Sequence, residues 1–121
     1  MSKRYDNDIH KRIYKFVIRV INLTKILPKT PQNEIIIYQL VKSVTSMGAN
    51  DQEADGAESK KDFIAKYTIV KKENKEANYW LRVIEDTNPP EIAKRMGSIR
   101  KEGLEILRVV STIIINTKRK I

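Results

Sequence analysis

The sequence predicts an all-α protein, an antiparallel up-down-up-down four-helix bundle. Three observations predict the bundle. Only four glycines and four prolines interrupt 121 residues, too few for many short strands and their turns. Apolar residues recur at i, i+3, i+4 in four long stretches, the spacing of one helical face. The stretches are joined by short links, which force neighbouring helices to run antiparallel. Helices are expected at about 8–27, 32–54, 59–86 and 90–117, each roughly 30 Å long at 1.5 Å per residue. Together they form a single domain over 1–121, a length suited to one core.

In the first helix Ile9, Ile13, Phe16, Val17, Val20, Ile21 and Leu27 share a face, with Asp6 or Asn7 as cap. Arg4, Lys11, Arg12, Lys15 and Arg19 gather opposite. The prolines of Pro28-Lys-Thr-Pro31 break the helix, because each disfavours helical geometry in the residue before it. Thr30 then caps the second helix with Pro31 in its first turn, and Ile36, Ile37, Leu40, Val41, Val44 and Met47 form its stripe.

The third helix has the clearest pattern. Phe63, Tyr67, Val70, Asn74, Ala77, Leu81 and Ile84 alternate spacings of four and three, a heptad seam. Ile64, Ile69, Trp80 and Val83 widen its apolar face, so it should touch more than one neighbour. Asp62–Lys66 and Lys72–Glu76 stand at i, i+4 as candidate ion pairs. Ser59 or Glu58 caps its start, and Asn88–Pro90 ends it. In the fourth helix Ile92, Met96, Ile99, Ile106, Leu107, Val110, Ile113 and Ile114 share a face, with Lys94, Lys101 and Arg108 opposite.

The formal net charge is +9, with 24 Lys and Arg against 15 Asp and Glu. The excess sits in the N-terminal segment and the last third, ending in Lys118, Arg119 and Lys120, whereas Glu34 to Glu58 is acidic. A field this asymmetric favours polyanions such as nucleic acid. With no cysteine, disulfides and thiolate metal sites are excluded. No apolar run approaches the roughly 18 residues of a membrane span, and no signal core precedes the first helix. The expectation is a cytoplasmic protein without a membrane partner.

Chemistry is sparse. Asp51-Gln-Glu-Ala-Asp-Gly56 followed by Asp62 nearly spells a calcium loop, but offers the shorter Asp62 where a bidentate Glu is wanted. A di-metal carboxylate site needs Glu-x-x-His pairs, and the single histidine, His10, has no such glutamate and reads as a surface or boundary residue. Hydrolytic triads lack a second histidine or a cysteine. No catalytic residue, metal or cofactor is expected. Asn74, a polar residue inside the seam, reads as structural, fixing register or oligomer state.

Ser46–Asn50 (SMGAN), Glu53, Ser59–Phe63 (SKKDF), Ile69-Val70, Glu76 and Tyr79–Leu81 (YWL), with Leu23–Lys25 before Pro28, resemble the four-helix-bundle proteins encoded in intervening sequences (IVS) of bacterial 23S ribosomal RNA genes. The likeness covers nearly the whole chain. It implies a cytoplasmic homopentamer with a central channel. It also implies kinship with basic accessory proteins of diversity-generating retroelements, thought to bind nucleic acid and a reverse transcriptase. Two residues depart from the family pattern: Ala57 replaces a frequent Arg, and Asp51 an Ile or aromatic. Both make the interhelical turn more acidic.

The expected function is therefore non-enzymatic binding of RNA or DNA through phosphate contacts. The candidate ligands are Arg4, Lys11, Arg12, Lys15, Arg19, Lys94, Lys101, Arg108, Lys118, Arg119 and Lys120. Asn50, Glu53, Phe63, Tyr67, Asn74, Glu76 and Trp80 are the candidates for holding the bundle or oligomer together. The alternative is a scaffold that docks a reverse transcriptase or other protein without touching nucleic acid, charge only steering association.

Overall fold

A computed structural model describes residues 3–120, with side chains described from Ile9 onward. Five helices follow in order: α1 (Lys3–Thr24), α2 (Pro31–Asp55), α3 (Lys60–Thr87), α4 (Pro90–Ala93) and α5 (Gly97–Arg119). The described residues contain no strand.

The local signals in the sequence act at the helix ends. Thr30 Oγ1 accepts the Asn33 N–H at 3.0 Å, with Pro31 opening α2. Ser59 Oγ accepts the Asp62 N–H at 3.0 Å, which settles the cap of α3 on Ser59. Each bond satisfies one amide that the first helical turn leaves without a partner. α1 starts at Lys3, so Asp6 and Asn7 lie within it and do not cap it. It ends at Thr24, and a tight turn follows in which the Lys25 and Ile26 amides bond back to Asn22 and Leu23. Leu27 still reaches the core from that turn.

The last expected helix is two. Pro90–Ala93 is a single turn, and Lys94–Met96 tightens, with the Arg95 and Met96 amides bonding back three residues to Ile92 and Ala93. Gly97, a residue type with the weakest helix propensity short of proline, directly follows the break and opens α5. Ile92, Met96 and Ile99 all lie in the core.

α1 packs on α2, α2 on α3, α3 on α5 and α5 back on α1, while α4 touches α3. Cross-contacts fix the directions. Asn33 meets Asn88, and Asp51 meets Tyr67, so α2 and α3 are antiparallel. Glu85 meets Arg100, and Asn78 meets Gly103, so α3 and α5 are too. Arg12–Glu102 and Arg19–Ser98 set α1 against α5 in the same sense.

The α3 seam lies in the core as the heptad demands, with Tyr67, Val70, Asn74, Ala77, Leu81 and Ile84 buried and Phe63 half-buried. Its wide face does touch several neighbours, α2, α5 and α4. Around it pack Phe16 and Val20 of α1, Leu40, Val44 and Met47 of α2, and Ile106 and Val110 of α5. Leu23 and Val109 are also buried.

Two polar devices cross this core. Asn78 Nδ2 donates to Asn74 Oδ1 and to the Gly103 carbonyl, both at 3.1 Å. Turning the Asn74 amide over would instead let it donate to the Gly103 carbonyl and accept the Leu107 N–H. Either orientation ties α3 to α5 within one chain, so Asn74 acts internally. Gly103 permits the contact: a Cβ there would lie 2.2 Å from Asn78 Oδ1 and 3.1 Å from Phe16 Cζ. At one end of the helices Asn33 Nδ2 donates to Asn88 Oδ1 at 2.9 Å and Asn88 Nδ2 donates back at 3.2 Å. That reciprocal amide pair locks the start of α2 to the end of α3.

Candidate functional site

Packing of α1 on α5 brings the two expected basic faces onto one side of the molecule. Lys11, Lys15 and Arg19 stand at i, i+4, i+8 on the exposed side of α1, and Lys101 and Arg108 at i, i+7 on the exposed side of α5. Between them run two carboxylates. Arg12 donates to both oxygens of Glu102, at 3.0 and 2.8 Å, and Arg108 grips Glu105 one turn later. Hydrogen bonding from Arg108 holds the Glu105 carboxyl below its ordinary range, with Arg12 and Lys101 adding to the effect. Glu105 thus senses cations of both helices.

The candidate phosphate ligands therefore divide. Arg12 and Arg108 are engaged by carboxylates, which no spacing rule on one helix predicts for Glu102. Arg19 donates to Ser98 Oγ at 2.9 Å and remains exposed. Lys11, Lys15 and Lys101 are exposed and form no ion pair among the described residues. Lys94 sits apart, in the turn after α4. Lys118, Arg119 and Lys120 lie at the far end of α5. Arg4 falls in the first turn of α1, and its side chain lies outside the described residues.

The structural candidates divide as well. Tyr67 and Asn74 are buried, and Phe63 stacks on Tyr67 with centroids 4.7 Å apart. Trp80 Nε1 donates to Glu76 at 3.1 Å, and Asn50 Nδ2 donates to the Ser46 carbonyl at 2.9 Å. Glu53 reaches across the α2–α3 turn to accept from Lys66 at 2.8 Å, and that bond raises the Lys66 pKa. The expected i, i+4 pairs give way to these contacts: Lys66 turns to Glu53 rather than Asp62, and Glu76 to Trp80 rather than Lys72.

A second cluster was not expected. Asp51, 1% exposed, accepts on Oδ1 from the Tyr67 hydroxyl at 2.6 Å and from His10 Nδ1 at 2.8 Å. His10 Nε2 lies 3.4 Å from Asp55 Oδ1. His10 is thus no simple surface residue, because α1, α2 and α3 converge on it. The two donors compensate a carboxylate whose burial alone would be costly. Asp51 Oδ2 has no partner among the described residues. The cluster floors a cavity of about 510 Å³ at the end of the molecule where α2 turns into α3 and α5 finishes. Both ring nitrogens of His10 face carboxylates of α2, so the cluster ties α1 to α2 at this end. Among the described residues no group of three or more His, Cys, Asp or Glu could hold a metal, and no helix is long and apolar enough to cross a membrane.

Known proteins match this architecture. The family described as 23S rRNA-intervening sequence protein matches residues 5–111. The chain belongs to that family. A solved structure, a protein of unknown function from the S23 ribosomal protein family of Bacteroides thetaiotaomicron, is 34% identical. The match covers 91% of this chain and 97% of that one, with a TM-score of 0.79. No curated protein matches the chain. The motifs from Leu23 to Leu81 that carry the sequence resemblance to the IVS family all fall inside the matched span. Of the two departures from the family pattern, Ala57 lines the end cavity, and Asp51 is the buried acceptor beneath it.

Proposed function

We propose that this IVS-family chain is a non-enzymatic, oligomeric accessory protein that binds RNA or DNA through phosphate contacts on its α1–α5 side. The observation that carries the reading is the convergence of Lys11, Lys15, Arg19 and Lys101 on that side, backed by Arg12–Glu102 and Arg108–Glu105. The two ion pairs stiffen the surface and neutralise its only intervening carboxylates among the described residues. Such contacts position a nucleic acid without reading its sequence. The family's tie to a 23S rRNA-intervening sequence is in keeping with a nucleic-acid partner.

The ring of α1, α2, α3 and α5 is taken as the expected antiparallel four-helix bundle, assembling as a homopentamer. Support comes from the apolar side chains left outside: Ile35 and Tyr38 of α2 are each 65% exposed, and Tyr79 of α3 is 57% exposed. A clean monomer in light scattering at micromolar concentration would remove the pentamer.

Fluorescence anisotropy with duplex and single-stranded probes tests the binding. Reversing Lys11, Lys15 and Arg19 to Glu abolishes it and leaves helicity intact. No affinity of the unaltered protein, even at low salt, would sink the reading. A reverse transcriptase or other protein, captured after nuclease treatment and at high salt by a chain that binds no probe, would make it a docking scaffold instead.

A further inference from the structure

The end cavity has features that a phosphate-tracking surface does not need. Its volume of about 510 Å³ falls in the range of small-ligand pockets. Phe63 lines it, and the ring is backed by Tyr67 at 4.7 Å with the planes 28° apart. That rigid aromatic pair offers a flat apolar wall. Opposite in character are His10, held at Nδ1 by buried Asp51, and the Asp55 carboxylate. Asn116, on the α5 side, adds an amide with both donor and acceptor. Lys120 contributes a cation from the basic tail.

We propose that this cavity receives one unpaired nucleobase of a single-stranded nucleic acid. The inference rests on the nucleic-acid reading above and extends it from backbone to base. Every base has a π-face to lay on an aromatic wall. The exocyclic amino group of a base is the donor that an Asp carboxylate accepts, which accounts for an acidic group in a ligand cavity of a basic protein. The charged tail Lys118–Lys120 leads the phosphate backbone to the mouth. A duplex keeps its bases stacked and presents none to the cavity, so the site discriminates between strands.

The test compares a single-stranded RNA probe with the duplex of the same sequence on the full chain. Phe63→Leu keeps apolar bulk but removes the π-face, and Asp55→Asn, at a side chain 65% exposed, removes the charged acceptor. We expect Phe63→Leu to weaken single-strand binding about 5- to 150-fold, with Asp55→Asn acting in the same direction and duplex binding unchanged in both. Full single-strand affinity in both variants would overturn the inference and leave the basic side standing. Duplex binding without single-strand binding by the unaltered protein would overturn the inference alone, and binding of neither probe would overturn both. Should Phe63→Leu not fold, photocrosslinking of a 4-thiouridine strand to the unaltered protein decides. Adducts on peptides containing Phe63 or Asn116 support the site, and adducts confined to α1 overturn it.

Discussion

Replacing Gly103 by alanine sets two effects of known sign against each other. On an isolated helix the change gains about 1 kcal/mol, because alanine is the better helix former. Here the added methyl would sit 2.2 Å from Asn78 Oδ1 and 3.1 Å from Phe16 Cζ. The first distance is far inside contact and the second is tight, so Asn78 must swing away. In doing so it gives up its bonds to the Gly103 carbonyl and to Asn74. Overpacking of this kind costs about 1–3 kcal/mol, and two lost hydrogen bonds at a partly buried amide cost about 1 kcal/mol each. The net expectation is a destabilisation of about 2–4 kcal/mol. With an unfolding entropy near 2.1 cal/mol/K per residue over 121 residues, each kcal/mol is worth about 4 °C. Tm should therefore fall by about 8–16 °C, measured by calorimetry at one fixed protein concentration, since self-association would make Tm concentration-dependent. An unchanged or raised Tm would refute the close approach of α3 and α5 at this position.

Two further predictions concern the charged and polar clusters. Tyr67→Phe deletes the 2.6 Å donor to buried Asp51 and should cost about 1.5–3 kcal/mol in urea denaturation; a loss under ~0.5 kcal/mol would mean that His10 alone satisfies the carboxylate. The Glu105 carboxyl titrates below 4.5 because Arg108 bonds its charged form. A lowered folded pKa means that the contact stabilises above 4.5 and is lost as pH falls through the folded value. Arg108→Gln should move the Glu105 carboxyl titration, followed by NMR, back up toward 4.5, and no movement would refute the assignment.

How much of this was legible depends on the range of the interaction. The α3 seam could be read directly, since its periodicity is a property of one helix and any neighbour must cover it. Thr30 and Ser59 could be read as caps because each acts on an amide three residues away. The break at Lys94–Met96 was less visible: apolar residues at 92, 96 and 99 fit an uninterrupted helix equally well. The His10–Asp51–Tyr67 cluster was not legible. His10 and Asp51 are 41 residues apart, and periodicity assigns a face without naming what lies opposite. Asp51 read only as a residue making the interhelical turn more acidic, since a carboxylate is expected outside unless donors reach it. Arg12 shows the converse: its face was right, but its Glu102 partner is 90 residues away and takes it out of the simple count of phosphate ligands. Lys66 followed the same logic, since Glu53 across the turn displaced the same-helix Asp62.

The salt dependence of duplex binding tests the central claim most directly. A footprint of about four cations, Lys11, Lys15, Arg19 and Lys101, predicts a slope of log K against log salt near −3.6 on B-DNA, or a loss of about 150-fold between 50 and 200 mM. Neutralising Lys11, Lys15 and Arg19 to Gln should reduce that slope to about −0.9 with the fold intact. A slope near zero for the unaltered protein, or one that the triple substitution leaves unchanged, would contradict the placement of the nucleic acid on the α1–α5 side.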